Sequence, residues 1–445
     1  MAHQPDKIPW HLLASNLRWF DGKSSECDCK FPNLHPCGKE KQGVQLTQFA
    51  EAFAKVIDEA TKNERAKYST SYEAPDPNDV LIDDETLKKI EPYVIQWRET
   101  HHAVDTGVDE NPPILHEMRI ASAFFHSQQE NDCDRFTEDN GKGFFNLEIL
   151  KLLIIHGYMD PVLRACAHPE VGIDSWELAA QCHCRAMDYD VGWNLLYTHA
   201  LSAYLCLNIA YCFPESWDPA GGRTDVKDYR HTTSYQFMLR ECTAPGTTSE
   251  IVSYPHRQFF GIAPDQFNQV QPKVADQKRW INKLDIDPKW GTIKQSHYGL
   301  LPIDDFLTLE NASLQYKPHA SDVDAVQSIL LRHLPPELVL SIMDLAGYKP
   351  KRALTIPDDP LHPSNRKELD EYLEHCWQIM VRCQMMSKEI DVDVGQGDGW
   401  KSLVSWRVCV LWENKDCGSA FLWHFDNDRG VQEFIGAWSQ TGAEI

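Results

Sequence analysis

Apolar residues recur with a helical period along much of the chain. Phe49, Phe53, Val56 and Ile57 fall on one face of a segment running from about Leu46 to Lys62, so a helix with that face buried is expected there. Asp84 to Trp97 repeats the amphipathic pattern, and Leu115 to His126 and Phe145 to His156 are further predicted helices. Asp174 with Glu177 is a capping-box pair, which predicts a helix through about Met187. Val191 to Tyr211 is apolar nearly all round and predicts a buried helix. From Pro214 to Ile303 the periodicity weakens while Pro, Gly and Thr become frequent. Long connections of that kind often carry function.

The last third is clearer. Ser321 with Asp324 starts a predicted helix through Arg332, and residues 334–348 predict a second, with Gly347 as its stop and Pro350 beyond. Asn365 with Glu368 caps a third, Arg366 to about Lys388, whose face is Leu369, Leu373, Cys376, Met380 and Cys383. Residues 402–412 and 419–426 are rich in β-branched and aromatic side chains around a turn, which predicts a terminal β-hairpin. The expected fold is mainly α with a minor β part: a helical globular core, an irregular central region and a C-terminal β-hairpin. The expected organisation is an irregular Cys-containing segment 1–43, a helical domain 44–213, an irregular connection 214–320 and a helical C-terminal region 321–445.

Composition adds limits. At 42% hydrophobic residues over 445 positions, a large core is expected. The 66 acidic residues exceed the 43 basic ones, giving a net charge of −23. A broad basic surface for duplex nucleic acid is excluded on that count, although a local basic groove is not. An acidic protein suits a cationic substrate such as an arginine side chain, whose guanidinium pairs with carboxylates; solubility alone explains the excess equally. The first residues lack the apolar core of a signal peptide, and no run is long enough for a membrane span. The 14 cysteines are therefore expected as thiols in a cytoplasmic, reducing compartment.

Few residues carry a chemical signature. Cys27, Cys29, His35 and Cys37 supply zinc-type donors at a spacing unlike the common zinc modules, and ordinary thiols explain them as well. Cys182, His183 and Cys184 are consecutive, so on the predicted helix they point in different directions. His116-Glu117 lacks the second histidine a zincin helix needs, and Asp132, Asp134 and Glu138 lack the glycine and closing glutamate of a calcium loop. No cofactor is expected. Paired acids remain: Asp304 and Asp305 with Glu310, and Asp188 and Asp190 flanking Tyr189 just before Trp193. Two carboxylates beside aromatics at the mouth of a buried helix suit a guanidinium, and helix capping accounts for the same residues. Residues 334–348 also resemble the first helix of an F-box, which docks a ubiquitin-ligase linker protein, so a protein partner there is a second expectation.

The block LPPELVLSIMDLAGYKPKRALTIPDDPLHPSNRKELDEYLEHCWQIMVRCQMM (334–386) resembles one found in the fungal arginine-containing cyclodipeptide synthases. That resemblance implies an enzyme of secondary metabolism that joins arginine to a second amino acid, draws both from aminoacyl-tRNAs and releases a diketopiperazine. It implies acids of a D-D-x-x-E motif. The nearest here is Asp304-Asp305 with Glu310, two residues too far apart. On this reading Asp304, Asp305 and Glu310 are the catalytic acids, and Asp188, Tyr189, Asp190 and Trp193 bind substrate. The run 349–352 (KPKR) with Arg366 and Lys367 is then the candidate tRNA patch. The alternative is an F-box-like substrate adaptor, and a third reading is a catalytically silent relative retained for binding. The first two differ structurally: an adaptor exposes the apolar face of 334–348, whereas an enzyme buries it.

Overall fold

The computed structural model describes residues 5, 7–20, 32–36, 42–100, 114–129, 135–178, 180–181, 188–189, 191–243, 251–263, 303–308, 318–395, 399–412, 422–426 and 431–435. Helix α1 (Trp10–Ala14) leads into a two-stranded antiparallel pair, β1 (Leu17–Phe20) with β2 (Asn33–Pro36), in which Arg18 faces His35. The amphipathic stretches become α2 (Gln42–Arg65), α3 (Asp84–Thr100), α4 (Phe136–His156) and α5 (Met159–Cys166). The apolar run becomes α6 (Asn194–Tyr211), buried along nearly its whole length. Then come α7 (Thr233–Thr243), α8 (Tyr254–Phe260), α9 (Ile303–Thr308), α10 (Ala320–Leu330), α11 (Pro336–Leu345), α12 (Arg366–Glu389) and α13 (Trp400–Trp412). The protein is mainly α-helical with a minor β part. None of the described helices is long and apolar enough to cross a membrane.

Helix α6 is the axis of the core. Helix α12 lies along it, with α2 against α12 and α13, and α7 against α6. The predicted face of α2 is buried: Phe49, Phe53 and Ile57 have no exposure. The Phe53 ring meets Tyr204 of α6, Trp377 of α12 and Trp400 of α13 at centroid distances of 6.2, 5.6 and 6.3 Å. Aromatic burial of this kind dominates a core's stability, and tilted ring pairs add about 0.5–1.5 kcal/mol each. One continuous core cluster takes residues from Ile8 to Trp412.

Several predicted elements differ. Residues 402–412 are helical, with Val404, Val408 and Leu411 lining one side and Leu403 and Trp412 packed on another, so the segment is buried nearly all round and only Trp406 is exposed. A strand-like composition cannot separate such a helix from a core strand. A C-terminal hairpin does form, further along: β5 (Leu422–Asp426) with β6 (Val431–Ile435). Residues 115–126 make two short 3-10 turns, His116–Met118 and Ala121–Phe124, not one helix. After Asp174 there is a single 3-10 turn, Asp174–Trp176, and then the short strands β3 (Ala180–Gln181) and β4 (Asp188–Tyr189). The region expected to be irregular contains α7 and α8, while residues 264–302 lie outside the described ones.

Helices α10 and α11 stand apart. None of their residues joins the core cluster, and in α11 only Val339 is buried. Leu338, Leu340, Ile342 and Leu345 of α11, with Ile329 and Leu331 of α10 and its turn, are exposed.

Candidate functional site

Of the sequence-predicted acids, Asp304, Asp305 and Asp188 lie among the described residues. Helix α9 buries Ile303 and Phe306 and leaves Asp304 exposed. Asp305 follows on the same turn, and Glu310 lies outside the described residues, as does Asp190. The β3–β4 pair sets Asp188 opposite Gln181 and Tyr189 opposite Ala180. Trp193 is fully buried, and its indole donates to the Ile173 carbonyl at 3.0 Å. Cys27, Cys29, Cys37, Cys182, His183 and Cys184 lie outside the described residues; His35 is buried on β2 against Phe20. In the basic run, Arg352 bonds to the carbonyls of Leu354 and Thr355 and to Asp322. Arg366 pairs with Asp370 and donates to Tyr211, and Lys367 lies 3.7 Å from Glu371. Lys349 and Lys351 remain exposed.

A carboxyl that sequence reasoning assigned to a helix cap, that of Glu177, lies beside the start of α6. Glu177 follows the Asp174–Trp176 turn. Its backbone carbonyl accepts from Asn194 N–H at 2.9 Å, and Trp176 accepts likewise from Trp193. These bonds seat Glu177 at the N-terminal end of α6, a few residues before the strand that pairs with Asp188–Tyr189. Gly192 makes the approach possible, since a Cβ there would meet the Glu177 carbonyl oxygen and the Asn194 side chain. The Tyr197 hydroxyl of α6 donates to Glu177 Oε1 at 3.0 Å and accepts from Gly395 N–H at 3.3 Å. The Tyr197 ring is held edge-on between Trp193 and Trp400, both at 5.8 Å.

The electrostatics of Glu177 are dominated by burial. Burial raises the Glu177 carboxyl above the ordinary glutamate value. The Tyr197 bond and the Gly395 amide oppose the shift, and the Asp393 carboxylate adds to it. Among the described residues no lysine or arginine pairs with Glu177. The loop that brings Asp393 and Gly395 here departs from ordinary backbone: Asp391 has φ 55° and Gly395 φ 70°. A left-handed non-glycine residue costs of order 1–3 kcal/mol and concentrates at functional sites. A half-buried, unneutralised carboxylate with a second acid beside it attracts a guanidinium or ammonium group, which would relieve both the desolvation and the repulsion.

A row of histidines lies elsewhere in the core. His256 Nδ1 is 2.6 Å from the Tyr372 hydroxyl, and its ring is 6.2 Å from that of His199. His375 interacts with His156 and Arg382. Burial holds all four histidines below the ordinary value, His199 and His375 at about 4. No group of His, Cys, Asp and Glu among the described residues has metal-binding geometry.

Fold and site together define a mainly helical protein with a half-buried acidic site suited to a cationic group. The chain belongs to the family described as gramillins biosynthetic cluster protein GRA5, which it matches over residues 11–417. That is a family of fungal secondary-metabolite biosynthetic clusters. Neither a curated protein nor a solved structure matches the chain.

Proposed function

We propose that this protein forms an arginine-containing diketopiperazine from aminoacyl-tRNAs, as a step in fungal secondary metabolism. The observation that carries the reading is Glu177: a half-buried carboxyl that no described lysine or arginine neutralises, bonded by Tyr197 and raised by the Asp393 carboxylate. A substrate guanidinium fits that carboxyl, with charge-assisted hydrogen bonds worth about 1.5–3 kcal/mol. Family membership supports a role in a fungal biosynthetic cluster, and the cyclodipeptide chemistry comes from the resemblance of residues 334–386 alone. The amine of one aminoacyl ester attacks the ester carbonyl of the other, forming an amide and expelling one tRNA through its ribose hydroxyl; the free amine of the resulting dipeptidyl ester then attacks the remaining ester, closing the ring and expelling the second tRNA. The protein's part is to hold the two esters together and to accept a proton. Asp304 and Asp305, with Glu310, remain the acids proposed for that role. Mass spectrometry of a heterologous host expressing the chain tests the reading. It predicts a new arginine diketopiperazine, lost in Glu177→Gln and in Asp304→Ala. Well-folded protein with no such product in a host rich in charged tRNA overturns it.

A second reading has its own observation. Leu338, Leu340, Ile342 and Leu345 of α11 are exposed, the arrangement expected of an F-box-like adaptor helix. On that reading α11 docks a ubiquitin-ligase linker protein. The enzyme reading expects this face to be buried, so its exposure departs from that expectation and favours the second reading at this helix.

A further inference from the structure

The turn that leads into α6 is held from α4 by a buried charge. Lys151 has no exposure, and Glu148, one helical turn before it, is 1% exposed. Lys151 Nζ donates to Glu148 Oε1 at 2.8 Å and to the Val191 carbonyl at 2.6 Å. Val191 is fully buried and lies just before α6. The next two carbonyls, of Gly192 and Trp193, already accept from Leu195 and Leu196 as the helix begins. The Val191 carbonyl is ahead of that ladder and away from water, so its donor has to come from another element. The lysine supplies it.

A buried ion pair is a poor source of stability. Desolvation of the two charges offsets most of their attraction, and apolar replacements of such pairs are often neutral or stabilising. What the ammonium does that an apolar side chain does not is bind a carbonyl by a charge-assisted bond. The carbonyl it binds opens the turn that seats Glu177. Trp193 N–H donates to the Trp176 carbonyl at 2.9 Å, and Asn194 N–H to the Glu177 carbonyl at 2.9 Å. Gly192 comes so close that a Cβ there would stand 2.4 Å from the Glu177 carbonyl oxygen. The peptide bond is planar, so fixing the Val191 carbonyl also fixes the Gly192 N–H and the direction in which the chain enters these contacts.

We infer that Lys151 is a positioning residue, whose ammonium holds the Val191 carbonyl and thereby sets the turn that seats Glu177. Its bearing on a reaction rests on the function proposed above; the dependence of the turn on Lys151 does not.

The test replaces both charges together, Glu148→Leu with Lys151→Met, so that neither is left unpaired in the core. Amide hydrogen exchange is read at Trp193 and Asn194, with the amides of α12 as the reference for global opening. In the variant the two amides exchange at least about fivefold faster relative to α12, the scale of one backbone hydrogen bond. Carbon NMR of the glutamate carboxyls, with Glu177 assigned through Glu177→Gln, gives a readout that a lysine serving stability alone does not move. Burial holds the Glu177 carboxyl above the ordinary glutamate value. A carboxyl released from its seat regains solvent, so Glu177 titrates lower in the variant than in the wild type. Glu148→Gln with Lys151→Gln is a second variant, in which neutral amides fill the same space and the shorter side chain falls short of Val191. It gives the same two changes. Neither readout uses a substrate, so a missing diketopiperazine counts against the proposed reaction and not against this inference. Wild-type exchange at Trp193 and Asn194, or an unmoved Glu177 titration, in either folded variant overturns it.

Discussion

Glu177 shows how one residue type serves two readings. Its spacing from Asp174 fits a capping box, but the chain turns away after Trp176 and the carboxylate reaches Tyr197 instead. Nothing in the local spacing signals that, because the partner hydroxyl is supplied from α6 and the neighbouring acid from the loop after α12. Asp188, Tyr189 and Trp193 precede the same helix in the chain, and nothing in the sequence singles out Glu177 beside them. Two predictions belong at this scale. Gly192→Ala pushes a methyl group into the Glu177 carbonyl and the Asn194 side chain. A loss of about 1–3 kcal/mol in urea unfolding is expected. The histidines give a pH signature. Burial lowers His199 and His375 to about 4. The native rings therefore stay neutral where unfolded ones, with pKa about 6.5, take up protons. This stability is fully present above pH 6.5 and is lost as pH falls toward 4. Each such histidine contributes a slope of about 1.4 kcal/mol per pH unit across that window. Denaturant titrations at pH 7 and pH 5 should show it, and His375→Gln should flatten the slope.

At the scale of elements, long amphipathic segments were legible and short ones were not. Helices α2, α3, α6 and α12 follow their apolar periodicity to within a few residues. The stretch 402–412 misled because a helix buried on nearly every face, with an apolar Trp406 at its exposed position, loses its periodic signal, and its valines and tryptophans suit a strand equally. The hairpin α10–α11 is the informative exception. Its apolar pattern is as strong as that of core helices, yet the structure leaves Leu338, Leu340, Ile342 and Leu345 exposed. Substituting Leu340 and Leu345 by Glu should therefore change stability by no more than about 0.5 kcal/mol each. If the face docks a partner, the same pair of changes abolishes co-purification of a ubiquitin-ligase linker protein from fungal extract. Loss of fold in that variant, or an unchanged complex, contradicts docking through α11.

The whole molecule combines an acidic exterior with arginines held inside. The net charge is −23, yet Arg382 and Arg407 are drawn into the helical core, where Arg382 caps the Ile154 and Ile155 carbonyls at the end of α4 and Arg407 neutralises Glu241. Among the described residues no lysine or arginine pairs with Glu177, and the proposed function depends on that carboxyl. Calorimetric titration of L-argininamide, compared with L-citrullinamide, measures this most directly. Citrulline replaces the guanidinium by a neutral urea of nearly the same shape. The account predicts that argininamide binds at least about tenfold more tightly, the worth of one charge-assisted bond, and that Glu177→Gln erases the difference. Equal affinity of the two amides for the wild-type protein, or a preference that survives Glu177→Gln, would contradict it.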